Sequence, residues 1–363
     1  MTIDILHPRP SSIVAALYTL RDLDVDVVVL HGPPGCSFKH ARLIEEDGVR
    51  VVTTALDDTS FIFGGAERLK DVLRLSREKF KPRTMGVVGT CASMIIGEDM
   101  RAAVKEAELG VPVVVVNVHA GYPDNTTGVI LTLEAARDAG LIPDEELERQ
   151  RTLMQKATEI ERKHGAASSQ YIAPSRGDLK HEVAARLLEL MREKKRGVVV
   201  LNAKKETAYS FADVMLAMNE MGAKMSATVV NIANMSTDVG LPRIRKYSKD
   251  ITGELEERGF RIQELTGGLD EYAVAGLGAS RIIEERFSDF DYAVVCGVPH
   301  ALDMDAMKGL ELFAVTNGPR QVEPLRKMGY HHVVVELDLH PRTLGVNHIV
   351  MSELGMNIRA LAR

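Results

Sequence analysis

The chain of 363 residues has 45% hydrophobic and 26% charged residues and a net charge of −6, which together indicate a globular protein of two or three domains. No basic run suggests a nucleic-acid surface, and apolar runs such as 111–116 are too short to cross a membrane. Residues 1–10 lack the apolar segment of a signal peptide, so we expect a cytoplasmic protein.

Short β-branched runs alternate with helical patterns along the whole chain, and this alternation is typical of parallel α/β units. The first block begins with a helix that Ser11 or Ser12 can cap. Two further helices end the block, with Gly140 closing the first of them and Pro143 opening the second. The strands predicted between these helices are 25–30, 49–54, 85–88 and 111–118.

The rest of the chain repeats this alternation in two more blocks, after a linker predicted at 165–177. The strands of the second block are predicted at 197–202, 227–232 and 261–265, and those of the third at 292–296, 312–316 and 332–336. We therefore predict three Rossmann-like parallel-sheet modules in series. The predicted domains are 1–165, 178–285 and 286–346, with a C-terminal helix at 347–363 that packs back on them.

The three cysteines are too few, and odd in number, for a disulfide framework. Cys36 ends the loop HGPPGC after the first predicted strand, and Cys91 follows the third strand in the sequence GTC. Loops at the carboxyl ends of parallel strands face one crevice, where ligands bind. Gly32 and Gly35 would let the backbone approach a bulky group there. Cys296 lies inside a β-branched run, and we expect it in the core.

Two interpretations of Cys36 and Cys91 are open at this point. A cysteine that follows a strand is most often a small core residue. Alternatively, the two cysteines bind metal, since a 4Fe–4S cluster usually takes four thiolates. A twofold homodimer would present each cysteine twice and so supply all four.

Two motifs carry a resemblance to a known family. His31–Cys36 (HGPPGC) and Cys91–Met100 (CASMIIGEDM) resemble the second and third cysteine motifs of nitrogenase component 1 and its relatives, and PRPSSIVAALYTL resembles their opening helix. The first cysteine of the family is absent here. The remaining two-cysteine pattern is similar to the large subunits of Ni-sirohydrochlorin a,c-diamide reductive cyclases, which act in coenzyme F-430 biosynthesis.

This resemblance implies a nitrogenase component 1-like fold of three Rossmann-like domains. It also implies a homodimer that shares one 4Fe–4S cluster, and a nitrogenase-iron-protein-like ATPase dimer that donates electrons with hydrolysis of MgATP. The chain has no Walker A sequence, so ATP use would require such a partner. The implied reaction reduces a nickel tetrapyrrole and closes a lactam ring from an amide side chain.

The candidates for a tetrapyrrole site lie in the second and third blocks. Nitrogenase has a metal-binding cysteine in the second module, and the comparable segment 231–247 here has Met235 roughly at that place. Basic residues could bind substrate carboxylates, with Arg243, Arg245 and Lys246 considered first and Lys204 and Lys205 second. His300 and His119 are candidates for proton transfer or an axial nickel bond. The glycine-rich loop at 266–281 could line the cavity. For each of these residues, a solvated or hydrogen-bonded side chain without a functional role is the alternative.

Two other functions remain open at the level of sequence. One is a non-catalytic scaffold that holds or transfers an iron–sulfur cluster or metallocofactor, which would bind its cluster loosely and give no product with an ATPase partner. The other is an ordinary α/β enzyme acting on a nucleotide or sugar, which would contain no iron.

Overall fold

The chain forms two compact units in a computed structural model that describes residues 10–163, 171–337 and 339–362. Of the described residues, the cysteine unit comprises 10–155 together with 241–243, and the C-terminal unit comprises those of 156–240 and those from 244 onward. Both units contain parallel sheets, which confirms the predicted α/β class. None of the helices in these described ranges combines the length and the apolar character of a membrane span.

The sheet of the cysteine unit has four parallel strands in the order β2-β1-β3-β4. Its strands are β1 Val27–His31, β2 Arg50–Thr53, β3 Met85–Gly89 and β4 Val113–Val116. The strand order reverses direction between β1 and β3, so the loops after these two strands leave the sheet toward opposite faces and open a crevice between them. β1 and β3 are buried on both faces, which explains their continuous apolar sequence.

Helices cover this sheet, and its core is built from β-branched strand residues and leucines of α4, among them Val29 and Leu69. The helices are α1 Ser12–Asp22, α2 Phe38–Glu46, α3 Asp58–Phe63, α4 Ala66–Phe80, α5 Cys91–Ile95, α6 Met100–Ala107, α7 Thr126–Asp138 and α8 Asp144–Lys163. The part of α8 from residue 156 onward, which includes Glu161, belongs to the C-terminal unit. As predicted, Ser11 caps α1, accepting a hydrogen bond from the backbone of Val14. α8 begins directly after Pro143.

The C-terminal unit has a six-stranded parallel sheet in the order β10-β9-β8-β5-β6-β7. Its strands are β5 Gly197–Asn202, β6 Val229–Ala233, β7 Glu264–Leu265, β8 Tyr292–Gly297, β9 Glu311–Thr316 and β10 His332–Val335. Its helices are α9 Lys180–Arg192, α10 Ala208–Met225, α11 Pro242–Glu257, α12 Tyr272–Arg286, α13 Val322–Met328, α14 Leu339–Thr343 and α15 Glu353–Leu361. This strand order is that of a dinucleotide-type Rossmann sheet, with its switch point between β5 and β8.

The strands predicted for the second and third modules therefore share one sheet. β5 pairs with β8 in register from Gly197↔Tyr292 to Asn202↔Gly297, so the predicted boundary at 285/286 falls within this sheet. Both strands are completely buried. The order of strands along the sequence does not reveal this pairing, because β8, the fourth strand of the unit, lies beside β5, the first.

Two predictions of secondary structure need correction. The C-terminal helix begins at Glu353 rather than 347, because Ser352 caps it by accepting a hydrogen bond from Gly355. The segment 266–281 was predicted as a loop, but it becomes helix α12 at Tyr272. Of the predicted linker, 165–170 lies outside the described residues, and 171–176 has no helix or strand.

Candidate metal and substrate sites

The two cysteine loops lie at the switch point of the four-stranded sheet. β1 leads into HGPPGC and then α2, while β3 leads through Thr90 into α5, whose first residue is Cys91. Thr90 caps α5 in a reciprocal arrangement with Ser93. The sequence prediction that both cysteines follow buried strands and share one edge of the sheet is thus confirmed.

Two contacts hold the cysteine loops together. The hydroxyl of Thr90 donates a hydrogen bond to the carbonyl of His31 at 3.0 Å. Gly32 packs directly on Thr90, since a Cβ at position 32 would overlap the Thr90 hydroxyl and methyl groups. Gly35 has no atom within 4 Å of its hypothetical Cβ. Of the two glycines, only Gly32 is therefore needed for close packing, and its neighbour is the other cysteine loop.

We predict that Gly32→Ala separates these loops, whereas Gly35→Ala leaves them in place. The Gly32 variant should lose about 1–3 kcal/mol of unfolding free energy through overpacking. The Gly35 variant should stay within about 0.5 kcal/mol of wild type. Denaturant unfolding of both proteins checks this pair, and equal unfolding free energies would contradict it.

The thiols of Cys36 and Cys91 influence each other. Cys36 is half-buried and Cys91 is exposed. Burial raises the pKa of Cys36, a hydrogen bond with Ser37 lowers it, and the charge of Cys91 raises it further. The Cys91 sulfur accepts a hydrogen bond from the backbone of Ala120 at 3.3 Å. This hydrogen bond fixes the Cys91 sulfur beside the loop that follows β4.

The thiol pair fits half of a four-thiolate cluster site. Within the described part of the chain, no three or more His, Cys, Asp or Glu side chains gather where they could hold a metal ion. The two cysteines at one switch point are soft ligands that suit an iron–sulfur cluster. When bound, such a cluster would supply one-electron transfer.

A buried acid–base pair lies beside the cysteine loops. His31 Nδ1 lies 3.1 Å from the Thr54 hydroxyl, and its Nε2 lies 3.6 Å from Glu98 Oε2. Glu98 also accepts a hydrogen bond from the backbone of Gly65. Burial lowers the pKa of His31, and the negative charge of Glu98 only partly offsets this effect. The pair links the HGPPGC loop to the CASMIIGEDM segment.

Large apolar side chains are exposed around the same edge of the sheet. They follow the carboxyl ends of β1, β2 and β3, the strands that carry the cysteine loops. We call them the apolar rim, which comprises Phe38, Phe61, Ile62, Phe63, Met94 and Ile95. Exposed apolar groups in such number mark a surface that binds another macromolecule.

The basic candidates of segment 231–247 do not form one cluster. Arg243 belongs to the cysteine unit, where it donates to the Asp47 carbonyl at 2.7 Å and pairs with Asp24 at 3.3 Å. Arg245 is exposed, and Lys246 pairs with Asp250 at 2.6 Å on α11. Their roles in substrate binding stay predictions, and the partners of Arg243 and Lys246 account for both side chains without a ligand.

Met235 is buried in the protein core, and His119 contacts residues of its own loop. Met235 is buried after β6. His119 stacks on Tyr122 with ring centroids 4.0 Å apart, and its Nδ1 accepts a hydrogen bond from Gly121. Cys296 is completely buried in β8, as expected of a core residue.

Lys204 and His300, by contrast, lie together at the switch point of the six-stranded sheet. Lys204 follows β5, and His300 follows β8 in the turn Pro299–Ala301. Glu161 of α8 joins them: its Oε1 lies 2.8 Å from Lys204 Nζ and 3.5 Å from His300 Nε2. Sequence reasoning missed Glu161, because nothing in the charged pattern of α8 distinguishes this carboxylate from its solvated neighbours.

Comparison with known proteins identifies the family. A model described as nitrogenase component 1 type oxidoreductase matches residues 11–154. A relative from Methanosarcina acetivorans, named Ni-sirohydrochlorin a,c-diamide reductive cyclase complex, component CfbD, is 57% identical over 99% of this chain and 98% of its own. Relatives of the same name from Methanothermobacter thermautotrophicus and Methanocaldococcus jannaschii are 52% and 43% identical, covering 98% and 97% of each chain. This chain belongs to that family of reductive cyclase components.

Membership in this family confirms the resemblance predicted from the cysteine motifs and makes the chain a nitrogenase-like oxidoreductase component. A nitrogenase molybdenum–iron protein alpha chain from Clostridium pasteurianum is 34% identical over 100 residues, 24% of this chain and 19% of its own. Among solved structures, "Nitrogenase Cp1 at pH 5" covers 100% of this chain and 89% of its own with a TM-score of 0.40 and 14% identity.

Proposed function

We propose that this chain is the cluster- and substrate-binding subunit of an ATP-dependent reductive cyclase. It reduces Ni-sirohydrochlorin a,c-diamide and closes a lactam ring in coenzyme F-430 biosynthesis. Two observations together support this proposal: full-length relatives carry this name, and two cysteines of this chain lie at one switch point. The low count of cysteines distinguishes the chain from a subunit that holds a whole cluster by itself.

In this proposal, Cys36 and Cys91 of two chains bind one 4Fe–4S cluster. Two thiolates per chain give the usual four ligands only when two chains meet at a twofold axis. The exposed Cys91 and the half-buried Cys36 suit a cluster that lies between subunits. The chain's own residues hold the two loops in register through the Thr90–His31 hydrogen bond and the packing of Gly32.

We predict that a charge on the apolar rim breaks the homodimer and so removes the cluster. Ile95 is 79% exposed and lies four residues after Cys91. Ile95→Asp should weaken dimerisation about tenfold or more, because burying a carboxylate in an apolar interface carries a large desolvation cost. Light scattering and iron analysis measure both effects.

Leu75→Asp is the matched control for this prediction. Leu75 is 63% exposed, and it lies on α4, which leads back to the amino end of β3. This variant should remain a dimer with full iron. If Ile95→Asp also remains a dimer with full iron, the apolar rim is not the subunit interface.

Electrons would come from a nitrogenase-iron-protein-like ATPase dimer that hydrolyses MgATP. The relatives are named as one component of a complex, which supports a separate partner. The test is an anaerobic assay with the nickel tetrapyrrole, the partner and MgATP. A reduced, cyclised product should form only when all are present. A product formed without the partner contradicts this division of labour.

An assembly scaffold is the second candidate, since Cys91 is exposed and an exposed ligand favours cluster transfer. A scaffold would release its iron to an apo-protein and yield no cyclised product in the same assay. A stable cluster and a tetrapyrrole product therefore separate the two functions.

A further inference from the structure

Polar side chains lie together at the switch point of the six-stranded sheet, where hydrogen bonds hold the surrounding loops in place. Asn202 ends β5, and its side-chain amide donates to the carbonyls of Tyr272 at 3.0 Å and Val298 at 3.3 Å. These bonds join β5, the start of α12 and the loop after β8. Gly297 has φ +107°, and a Cβ there would overlap the Asn202 carbonyl. The three loops that border the site are therefore held closely together.

His300 is buried in this site without a hydrogen bond. Its turn packs against α12, since a Cβ at Gly276 would overlap the Ala301 carbonyl. The side chain is 5% exposed, and neither ring nitrogen has a hydrogen-bond partner among the described residues. Its Nε2 lies 3.5 Å from Glu161 Oε1, which is a long contact, and its Nδ1 has no hydrogen-bond partner among the described residues. A buried polar group with incomplete hydrogen bonding is costly, so His300 is placed to meet a ligand.

Glu161 and Lys204 supply opposite charges beside His300. Burial alone would raise the pKa of Glu161, but Lys204 and His300 hold it well below its ordinary value, so the carboxylate is ionised. The ammonium of Lys204 lies 4.7 Å from the centroid of the Tyr272 ring. Burial would lower the pKa of Lys204, but Tyr272 and Glu161 raise it by more than burial lowers it, so Lys204 stays protonated. The ion pair has no net charge, yet it offers a strong donor and a strong acceptor.

We propose that Glu161, Lys204 and His300 bind a primary amide side arm of the substrate, and that His300 takes the amide proton during ring closure. This inference rests on the proposed function. An amide carbonyl accepts from Lys204, and the amide N–H groups donate to Glu161 and His300. A carboxylate side arm would instead face the ionised Glu161, which opposes its binding.

The ring closure that follows is an addition of the amide nitrogen to a ring double bond. A nitrogen–carbon bond forms, and the electron pair of the double bond moves to the neighbouring ring atom. The amide proton passes to His300, and a proton then returns to that ring atom. The addition consumes no electrons, so those from the partner serve only the reduction. Glu161 stabilises the imidazolium that His300 becomes.

The first test is substrate binding without the partner or turnover. Absorbance titrations compare the nickel diamide with the same nickel tetrapyrrole bearing free carboxylates in place of the two amides. Wild type should favour the diamide about tenfold or more, and Glu161→Gln should lose most of that preference. Glu159→Gln, on the same helix and 47% exposed, is the control and should keep it.

The outcomes separate the inference from the proposed function. Equal binding of both compounds to wild type, or an unchanged preference in Glu161→Gln, overturns the inference alone. Wild type that binds neither compound overturns the proposed function as well.

The second test follows the chemistry of His300→Gln, a variant that keeps a hydrogen-bonding side chain. It should bind the diamide within about threefold of wild type, as one neutral hydrogen bond contributes little net free energy. With the partner, it should accumulate reduced tetrapyrrole that is not cyclised. Cyclisation at the wild-type rate would overturn the assignment of His300.

Discussion

Alanine at Cys36 is expected to remove nearly all iron from the protein. In a symmetric dimer the substitution deletes two of about four thiolate ligands at once. Two thiolates from Cys91 alone cannot hold a cubane cluster, and Cys91 is exposed to solvent. The variant should therefore lose more than half of its iron. A loss of about half would be expected if each chain bound its own metal with the help of other ligands.

Iron analysis of the Cys36→Ala protein, purified without oxygen, measures this effect. Cys296→Ala is the matched control, because Cys296 is fully buried in β8 and lies in the other unit. That variant should keep its iron and lose only the stability that accompanies a small core cavity. Full iron in Cys36→Ala would show that the shared-cluster arrangement is wrong.

Arg21→Ala is expected to cause the largest loss of stability. The Arg21 guanidinium is buried at the end of α1, where it lies 2.9 Å from Asp22 and 2.9 Å from Asp47. It also stacks over the Tyr18 ring at 4.8 Å. Alanine would remove the cation from between two buried carboxylates, which typically costs about 3–5 kcal/mol of unfolding free energy.

Denaturant unfolding of the Arg21→Ala protein tests this prediction, with Arg42→Ala as the control. Arg42 forms a surface pair with Glu45, and its side chain is 63% exposed. Solvent screens such a pair, so its loss should change the unfolding free energy by less than about 1 kcal/mol. Equal effects in the two variants would mean that burial does not strengthen the Arg21 interactions.

The central strands were predictable from sequence because both sheets are parallel and these strands are completely buried. Continuous β-branched runs mark them, and β5 occupies the predicted range 197–202. The short edge strand β7 was predicted to span 261–265 but contains only Glu264 and Leu265, since an edge strand has one neighbour to pair with. Sheet membership was not predictable, because pairing of β5 with β8 is a tertiary contact.

The cysteine loops were predictable for a different reason. Loops that follow parallel strands meet at one edge of the sheet, so the positions of both cysteines follow from local sequence. Short motifs around each cysteine add to this signal. The Glu161–Lys204–His300 cluster depends instead on three segments far apart in sequence. Lys204 and His300 could be named because each follows a strand, whereas Glu161 lies on a helix with many acidic residues. Only the burial of Glu161 in the folded protein distinguishes it from those residues.

The basic residues of α11 show where sequence reasoning was least effective. Arg243 and Lys246 were chosen for their charge, but the structure gives each an acidic partner on the protein itself. Charge alone does not separate a residue that binds a ligand from one that completes the fold.

The sharing of one cluster by two chains through Cys36 and Cys91 can be tested on protein purified without oxygen. The measurement is the iron content per dimer, with the native mass and the EPR spectrum after reduction. We expect about four irons per dimer and the signal of a reduced 4Fe–4S cluster. A dimer that holds no iron even after reconstitution, or a monomer that holds four, would contradict it.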